Sequence, residues 1–334
     1  MSSKWIYKNL KNPEFQTLAE QFNVHPAIIK ILADRGIQGE EAVREYLEAD
    51  ISRVSDGSEL TDMQRGVDIV YDAVKAGKYI RIMGDYDVDG VSSTYILYKG
   101  LTGLGVKCDK FIPHRITDYG LHEPAIRDAY DAGVQVILTC DNGIAAANEV
   151  KLAKELGMTV VVTDHHEVPY EIRNFCPTDD SANAEEDGDG EVPYETPTEP
   201  GDNEGARHYI IPDADAVIDP KRPEDDGVFK EICGAVVAWK FMWCLYRKFG
   251  KIDEFNNSDF LEVASLGTVC DVMELQHDNR AIVKEGLKKM QNTSNIGLQA
   301  LLEVLGLKDK ALTSYDYGFK IGPCINAEGR LDTA

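Results

Sequence analysis

A mostly parallel α/β sheet flanked by helices is predicted by three short apolar segments that each run directly into acids or histidines. They are 79–83 (YIRIM), 135–140 (QVILTC) and 158–163 (MTVVVT), and helical periodicities separate them. Continuous apolar runs of this length read as strands buried on both faces, and their alternation with helices as βαβ units.

The first segment ends at Gly84, after which Val91, Tyr95, Tyr98, Leu101 and Leu104 recur at helical spacing, with Ser92 and Ser93 near the helix start. The turn between them carries Asp85, Asp87 and Asp89 in a D-x-D-x-D-G run. Carboxyl ends of strands are where open α/β sheets place ligand sites. Three carboxylates so close repel one another and raise one another's pKa, and a divalent cation is the simplest remedy. An EF-hand is excluded, because its twelfth position counted from Asp85 is Ile96 and not Glu. Phosphate-cradling glycine loops offer bare amides, whereas this turn offers negative charge. The alternative is a solvated acidic turn, and the other two segments weaken it. One runs into Asp141-Asn142-Gly143 and the other into Asp164-His165-His166-Glu167, so three parallel strands bring metal-ligand types to one sheet edge.

The ordered set GDYDVDG, DNG and DHH resembles the DHH phosphoesterases, and from about Leu32 onward the context is similar to their single-stranded-DNA exonuclease branch. The resemblance implies a two-metal phosphodiesterase using Mn²⁺ or Mg²⁺, with Asp85, Asp87, Asp89, Asp141, His165 and Asp271 as ligands and Asp141 as the bridge. It further implies that His166 touches the scissile phosphate and that Asp164 orients a ligand histidine. Asp271 lies in FLEVASLGTVCDVMEL, where an acid among apolar residues must be paired or metal-bound. Substrate phosphate would meet Arg115 in IPHRITDYGL, Arg280, and Asn326 and Arg330 in IGPCINAEGR, where Cys324 occupies a position at which the family commonly has Arg. The implied activity is 5′→3′ digestion of single-stranded DNA in repair and recombination, by a monomer that would meet a single-strand-binding protein or a helicase. An oligoribonuclease, cyclic-dinucleotide phosphodiesterase or pyrophosphatase of the same superfamily would carry a His where Met83 stands, four residues before Asp87. A non-catalytic DHH-fold binding protein would have lost ligands, and none is lost here.

The net charge of −23 over 334 residues argues against broad electrostatic binding of nucleic acid. Eleven acids and no Lys or Arg fall within 179–206, among Gly, Pro, Asn and Thr, which predicts a disordered surface insertion. Without it the charge is −12. No apolar run reaches membrane-spanning length, and 232–245, interrupted by Lys240, reads as a buried helix. The start MSSKWIYKNL lacks a signal core, and seven cysteines without C-x-x-C pairs suggest reduced thiols, so the expected location is cytoplasmic with no membrane.

Taken in order, 26–36, 40–47 and 60–76 read as helices, the last with Met63, Val67, Val70 and Val74 on its apolar face and Gly77 as its stop. A strand over 106–112, a strand over 209–218, a helix over 229–249 and two amphipathic helices from Asp278 onward complete the pattern, with His208 in a loop. The expected organisation is a helical N-terminal region (1–77), a DHH α/β catalytic domain (78–275) and a helical linker (276–334). That linker would lead to a second domain and an oligonucleotide-binding domain absent from this chain.

Overall fold

A computed structural model describes residues 13–114, 120–173, 206–225 and 229–331. It opens with helices α1 (Pro13–Gln21), α2 (Pro26–Asp34), α3 (Glu40–Glu48) and α4 (Met63–Lys75). Only α1 lies outside the expected helices, although Phe15, Leu18, Ala19 and Phe22 already have helical spacing. Leu18, Ile29, Leu32 and Val43 give α1–α3 a small core of their own. Helix α4 instead turns Met63, Val67 and Val70 onto the main sheet.

The alternating section runs β1 (Ile80–Met83), α5 (Val88–Gly103), β2 (Cys108–Phe111), α6 (Glu123–Asp131), β3 (Val136–Thr139), α7 (Ala147–Glu155) and β4 (Thr159–Thr163). It continues through β5 (Tyr170–Arg173), β6 (Ala206–Tyr209) and β7 (Ala216–Ile218). Five strands form one sheet in the order β2-β1-β3-β4-β7, every pair parallel. From β1 the chain crosses first to β2 on one side and later to β3 on the other, so the order reverses at β1. Such a switch point opens a crevice at the carboxyl ends of the strands.

Side-chain alternation divides the interior in two. Ile80, Ile82, Leu138, Val161 and Ile218 face a core shared with α4, α5 and α8. Met83, Ile137, Val160, Val162 and Val217 face a second core shared with α6 and α7. Arg81 shares that second face and is matched there by Asp109 at 2.7 Å and Asp128 at 2.5 Å.

Residues 209–218 are not one strand. Tyr209 ends β6, which pairs antiparallel with β5 in a separate two-stranded ribbon, while β7 belongs to the main sheet. Pro212 has no amide to give a ladder and lies where the chain passes between the sheets. His208 is accordingly a strand residue opposite Glu171. The acidic insertion lies outside the described residues except for its last member, Ala206.

The remaining helices are α8 (Gly234–Lys248), α9 (Ile252–Asn256), α10 (Phe260–Cys270), α11 (His277–Met290), α12 (Ile296–Val304) and α13 (Ser314–Asp316). A π-helical turn (Tyr317–Ile321) then leads into α14 (Gly322–Leu331). Helix α8 is the buried helix expected, and Lys240 within it is satisfied by Ser55 and by Asp278 at 2.7 Å. The C-terminal helices pack together and against α5 and α10. Met290, Leu302, Leu307, Tyr317 and Ile321 close with Leu266 around Val88. Among the described residues no helix is long and apolar enough to cross a membrane.

Candidate metal centre

The acid-bearing turn is tighter than the sequence suggests. Helix α5 starts at Val88, with Asp87 as its cap: Asp87 Oδ1 accepts the Gly90 amide at 2.9 Å, so Ser92 and Ser93 lie inside the helix. A side-chain oxygen at a helix start satisfies one of the amides that has no partner within the helix. A Cβ at Gly90 would stand 2.5 Å from the Asp85 carbonyl oxygen, so only Gly lets strand end and helix start approach this closely.

Asp89, in the first turn of α5, is 1% exposed. Its Oδ2 accepts the Gly234 amide at 2.7 Å and its Oδ1 the Ala235 amide at 3.0 Å. These are the first amides of α8, which explains why α8 begins at Gly234 and not near 229: residues before it are drawn out to aim the helix terminus at a carboxylate. Gly234 also lies against Asp141, and a Cβ there would be 2.8 Å from Asp141 Cβ and 3.0 Å from Asp89 Oδ2. Gly234→Ala should therefore displace both acids and weaken Mn²⁺ binding by roughly ten- to a hundredfold, the range for residues that orient ligands. Unchanged calorimetric affinity would show that the acids move aside freely.

Asp141 follows β3 in the left-handed region, with φ 60°, a conformation Asp tolerates better than most residues. Its Oδ1 lies 2.9 Å from His165 Nε2. The same ring nitrogen is 3.6 Å from Asp89 Oδ2 and 3.8 Å from Asp271 Oδ2, and Asp271 closes the carboxyl end of α10. Among the described residues, three groups of potential ligand atoms, each within 4.8 Å of one another, result: Asp85, Asp87 and Asp141; Asp89, His165 and Asp271; and Asp141, His165 and His166. Asp141 and His165 each belong to two of them. Buried Asp85 Oδ1 and Asp271 Oδ2 have no hydrogen-bond partner, as expected of ligand atoms arranged for cations. Carboxylates with one imidazole suit Mn²⁺ or Mg²⁺.

Electrostatics carry the same signature. Burial, then the Asp89 and Asp87 charges, push Asp271 up to about 7. Burial, then the Asp87 charge, pushes Asp85 up to about 6. Asp141 is raised well above the usual range by burial and then by Asp89 and Asp87. Burial holds His165 low, favouring the neutral imidazole that a metal needs. Acids whose folded-state pKa lies above the unfolded value near 3.9 bind more protons folded than unfolded. Their contribution to stability is full below that value and is lost as pH rises through about 6 to 7. Without metal, the melting temperature should fall from pH 5 to pH 8, and Mn²⁺ should remove much of that fall while releasing protons. A flat metal-free profile would contradict the charge repulsion.

Asp164 holds the ring of His166 and not that of His165, the histidine expected as a ligand. Its Oδ1 accepts the His166 Nδ1–H at 2.7 Å and the His165 amide at 2.7 Å, and its Oδ2 accepts the Ile144 amide at 2.9 Å. A carboxylate at the strand end turns back onto its own loop, and the ring two residues on is the one it reaches. Burial would raise Asp164, but the His166 hydrogen bond and charge and these amides hold it low. In return the Asp164 hydrogen bond lifts His166 to about 9, so His166 is cationic at neutral pH.

The expected phosphate ligands are less convergent. Arg115 lies outside the described residues, as does the Arg330 side chain. Asn326 sits on α14 with its Oδ1 shielded from solvent and unpartnered. Arg280 is held in a packing contact, its guanidinium 3.7 Å from the Tyr46 ring centroid and its Nε donating to the Tyr46 carbonyl at 2.5 Å. Sequence reasoning missed Asp219, which leaves β7 beside Asp164 and is fully buried. Its Oδ2 has no partner, and burial followed by the Asp164 charge pushes it up to about 8. Its signal was available, since AVI-Asp repeats the pattern of apolar strand followed by an acid.

This constellation at the switch point of a parallel sheet is that of a DHH domain, and residues 79–186 match the DHH family, N-terminal domain. Over nearly its whole length the chain is similar to the single-stranded-DNA-specific exonuclease RecJ: 30% identical over 332 residues to that of Bacillus subtilis, covering 99% of this chain and 36% of the relative. To the protein of the same name from Salmonella typhimurium it is 31% identical, covering 97% and 51%. The crystal structure of RecJ in complex with Mn²⁺ from Thermus thermophilus superposes with a TM-score of 0.68 at 27% identity, covering 95% of this chain and 39% of that one. The chain thus spans between about a third and a half of the length of these relatives.

Proposed function

We propose that the chain is the catalytic region of a metal-dependent phosphodiesterase, a 5′→3′ exonuclease acting on single-stranded DNA in repair and recombination. The observation that carries this reading is the pair of donor groups around Asp141 and His165 with the cationic His166 beside them. Asp85, Asp87 and Asp141 would hold one Mn²⁺ or Mg²⁺, and Asp89, His165 and Asp271 the other. When bound, such cations stabilise charge on phosphoryl oxygens and generate a nucleophile from water at neutral pH. The chain's own residues position the rest. Helix α8 fixes Asp89 through two amides, and Asp164 fixes the His166 ring so that Nε2–H remains for a nonbridging phosphate oxygen. Arg115, Asn326 and Arg330 are assigned to phosphates of the bound strand, while Arg280, engaged by Tyr46, is assigned to packing. A cytoplasmic monomer working with a single-strand-binding protein or a helicase is the setting such an activity implies.

Met83 in place of a His favours this branch over pyrophosphatase or dinucleotide chemistry. The test offers the purified chain Mn²⁺ with 5′- or 3′-labelled single-stranded DNA, a dinucleotide and pyrophosphate side by side. Release of mononucleotide from the 5′ end is expected. Exclusive turnover of pyrophosphate would overturn the reading.

A further inference from the structure

A cavity of about 340 Å³ opens beside His166 and Asp164, and Leu121, Asn142, Ile144, Ala145 and Glu149 help to line it. Among the described residues that line it none is Lys or Arg, and its one cation, His166, stands with two acids, Asp164 and Glu149, so an anionic group is disfavoured deep inside. Its walls are largely apolar or small. Asn142 is 5% exposed and spends its Nδ2 on the carbonyls of Met83 at 3.1 Å and Cys140 at 2.9 Å. Asn142 Oδ1 is closed off from solvent, so Asn142 shapes the wall without offering the cavity a polar atom. An apolar pocket with a few placed polar atoms suits a flat neutral group.

We infer that this cavity receives the nucleoside of the terminal nucleotide, with its base or sugar against Leu121, Ile144 and Ala145, and its phosphate outside on His166. The inference rests on the exonuclease reading, because it needs a nucleotide phosphate at the metal centre. It makes the cavity walls determinants of affinity for nucleotides over simple phosphodiesters.

Ala145 is exposed, so a larger side chain there fills the cavity without entering the core. The test compares Ala145→Trp and Ala145→Leu with the wild-type chain in Mn²⁺, using a single-stranded oligonucleotide, bis(p-nitrophenyl) phosphate, and calorimetric binding of dTMP. The expected result for Ala145→Trp is a rise of roughly tenfold or more in oligonucleotide KM and in dTMP Kd, a smaller rise for Ala145→Leu, and bis(p-nitrophenyl) phosphate turnover and Mn²⁺ affinity within about twofold of wild type. Unchanged KM and Kd would overturn the inference, as would equal loss on all substrates, which would mean damage to the centre. If the wild-type chain cleaves no oligonucleotide, the exonuclease reading fails separately, and the dTMP arm still decides whether the cavity binds a nucleoside.

Discussion

Asp141→Ala is expected to abolish most of the Mn²⁺-induced rise in melting temperature and to eliminate measurable phosphodiester cleavage. Asp141 belongs to the group with Asp85 and Asp87, and its Oδ1 lies 2.9 Å from His165 Nε2, in the group with Asp89 and Asp271. Its removal therefore weakens more than one cation position at once. Mass action sets the size of the readout: a ligand at a hundred times its Kd adds about 2.7 kcal/mol, which moves the midpoint of a domain this size by several degrees. The metal-free variant should melt close to wild type. Ala is less at ease than Asp in the left-handed conformation, at a cost of about 1 kcal/mol, but removing a buried acid among like charges offsets it. Asp141→Asn, which tolerates that backbone better, separates backbone strain from lost ligation, and it too should lose the Mn²⁺ response. A full Mn²⁺ shift in either variant would remove Asp141 from its shared position.

The sheet and the acids at its edge were legible because both signals are local. An apolar run of four to six residues and the ligand type that follows it sit side by side in sequence, and parallel pairing does the rest. What was not legible depends on distant partners. The amides that fix Asp89 come from Gly234 and Ala235, more than 140 positions away, and nothing in the apolar stretch they open announces an anion. Asp219 repeats the pattern of strand and acid, but its strand has three residues and follows Pro212, Asp213 and Asp215, so the run reads as part of a longer, more polar segment. Which of two adjacent histidines Asp164 would serve turned on loop geometry that residue order does not encode. Arg280 illustrates the converse: its motif resemblance suggested phosphate, whereas a carbonyl and an aromatic ring from α3 occupy it.

Adjacent as they are, His165 and His166 should fail in different ways. His165→Ala removes a nitrogen that faces Asp141, Asp89 and Asp271, and should cost both Mn²⁺ affinity and turnover. His166→Ala should leave Mn²⁺ affinity and single-stranded-DNA binding near wild type while turnover falls by two to three orders of magnitude, roughly the cost of removing one donor to developing negative charge. The reason lies in its partner. Asp164 takes Nδ1 and keeps the ring cationic up to about pH 9, so Nε2 carries a proton that can be offered to a phosphate oxygen but not a lone pair for a metal. The pH profile supplies an independent reading. Asp164→Asn withdraws the interaction that raises His166, so the decline of turnover at alkaline pH should move from about 9 toward the ordinary imidazole value near 6.5. Loss of Mn²⁺ by His166→Ala on the scale of His165→Ala would instead make His166 a ligand in the group it forms with Asp141 and His165. A change in turnover of only a few-fold, with the alkaline limb of Asp164→Asn unmoved, would leave His166 as packing at a strand end.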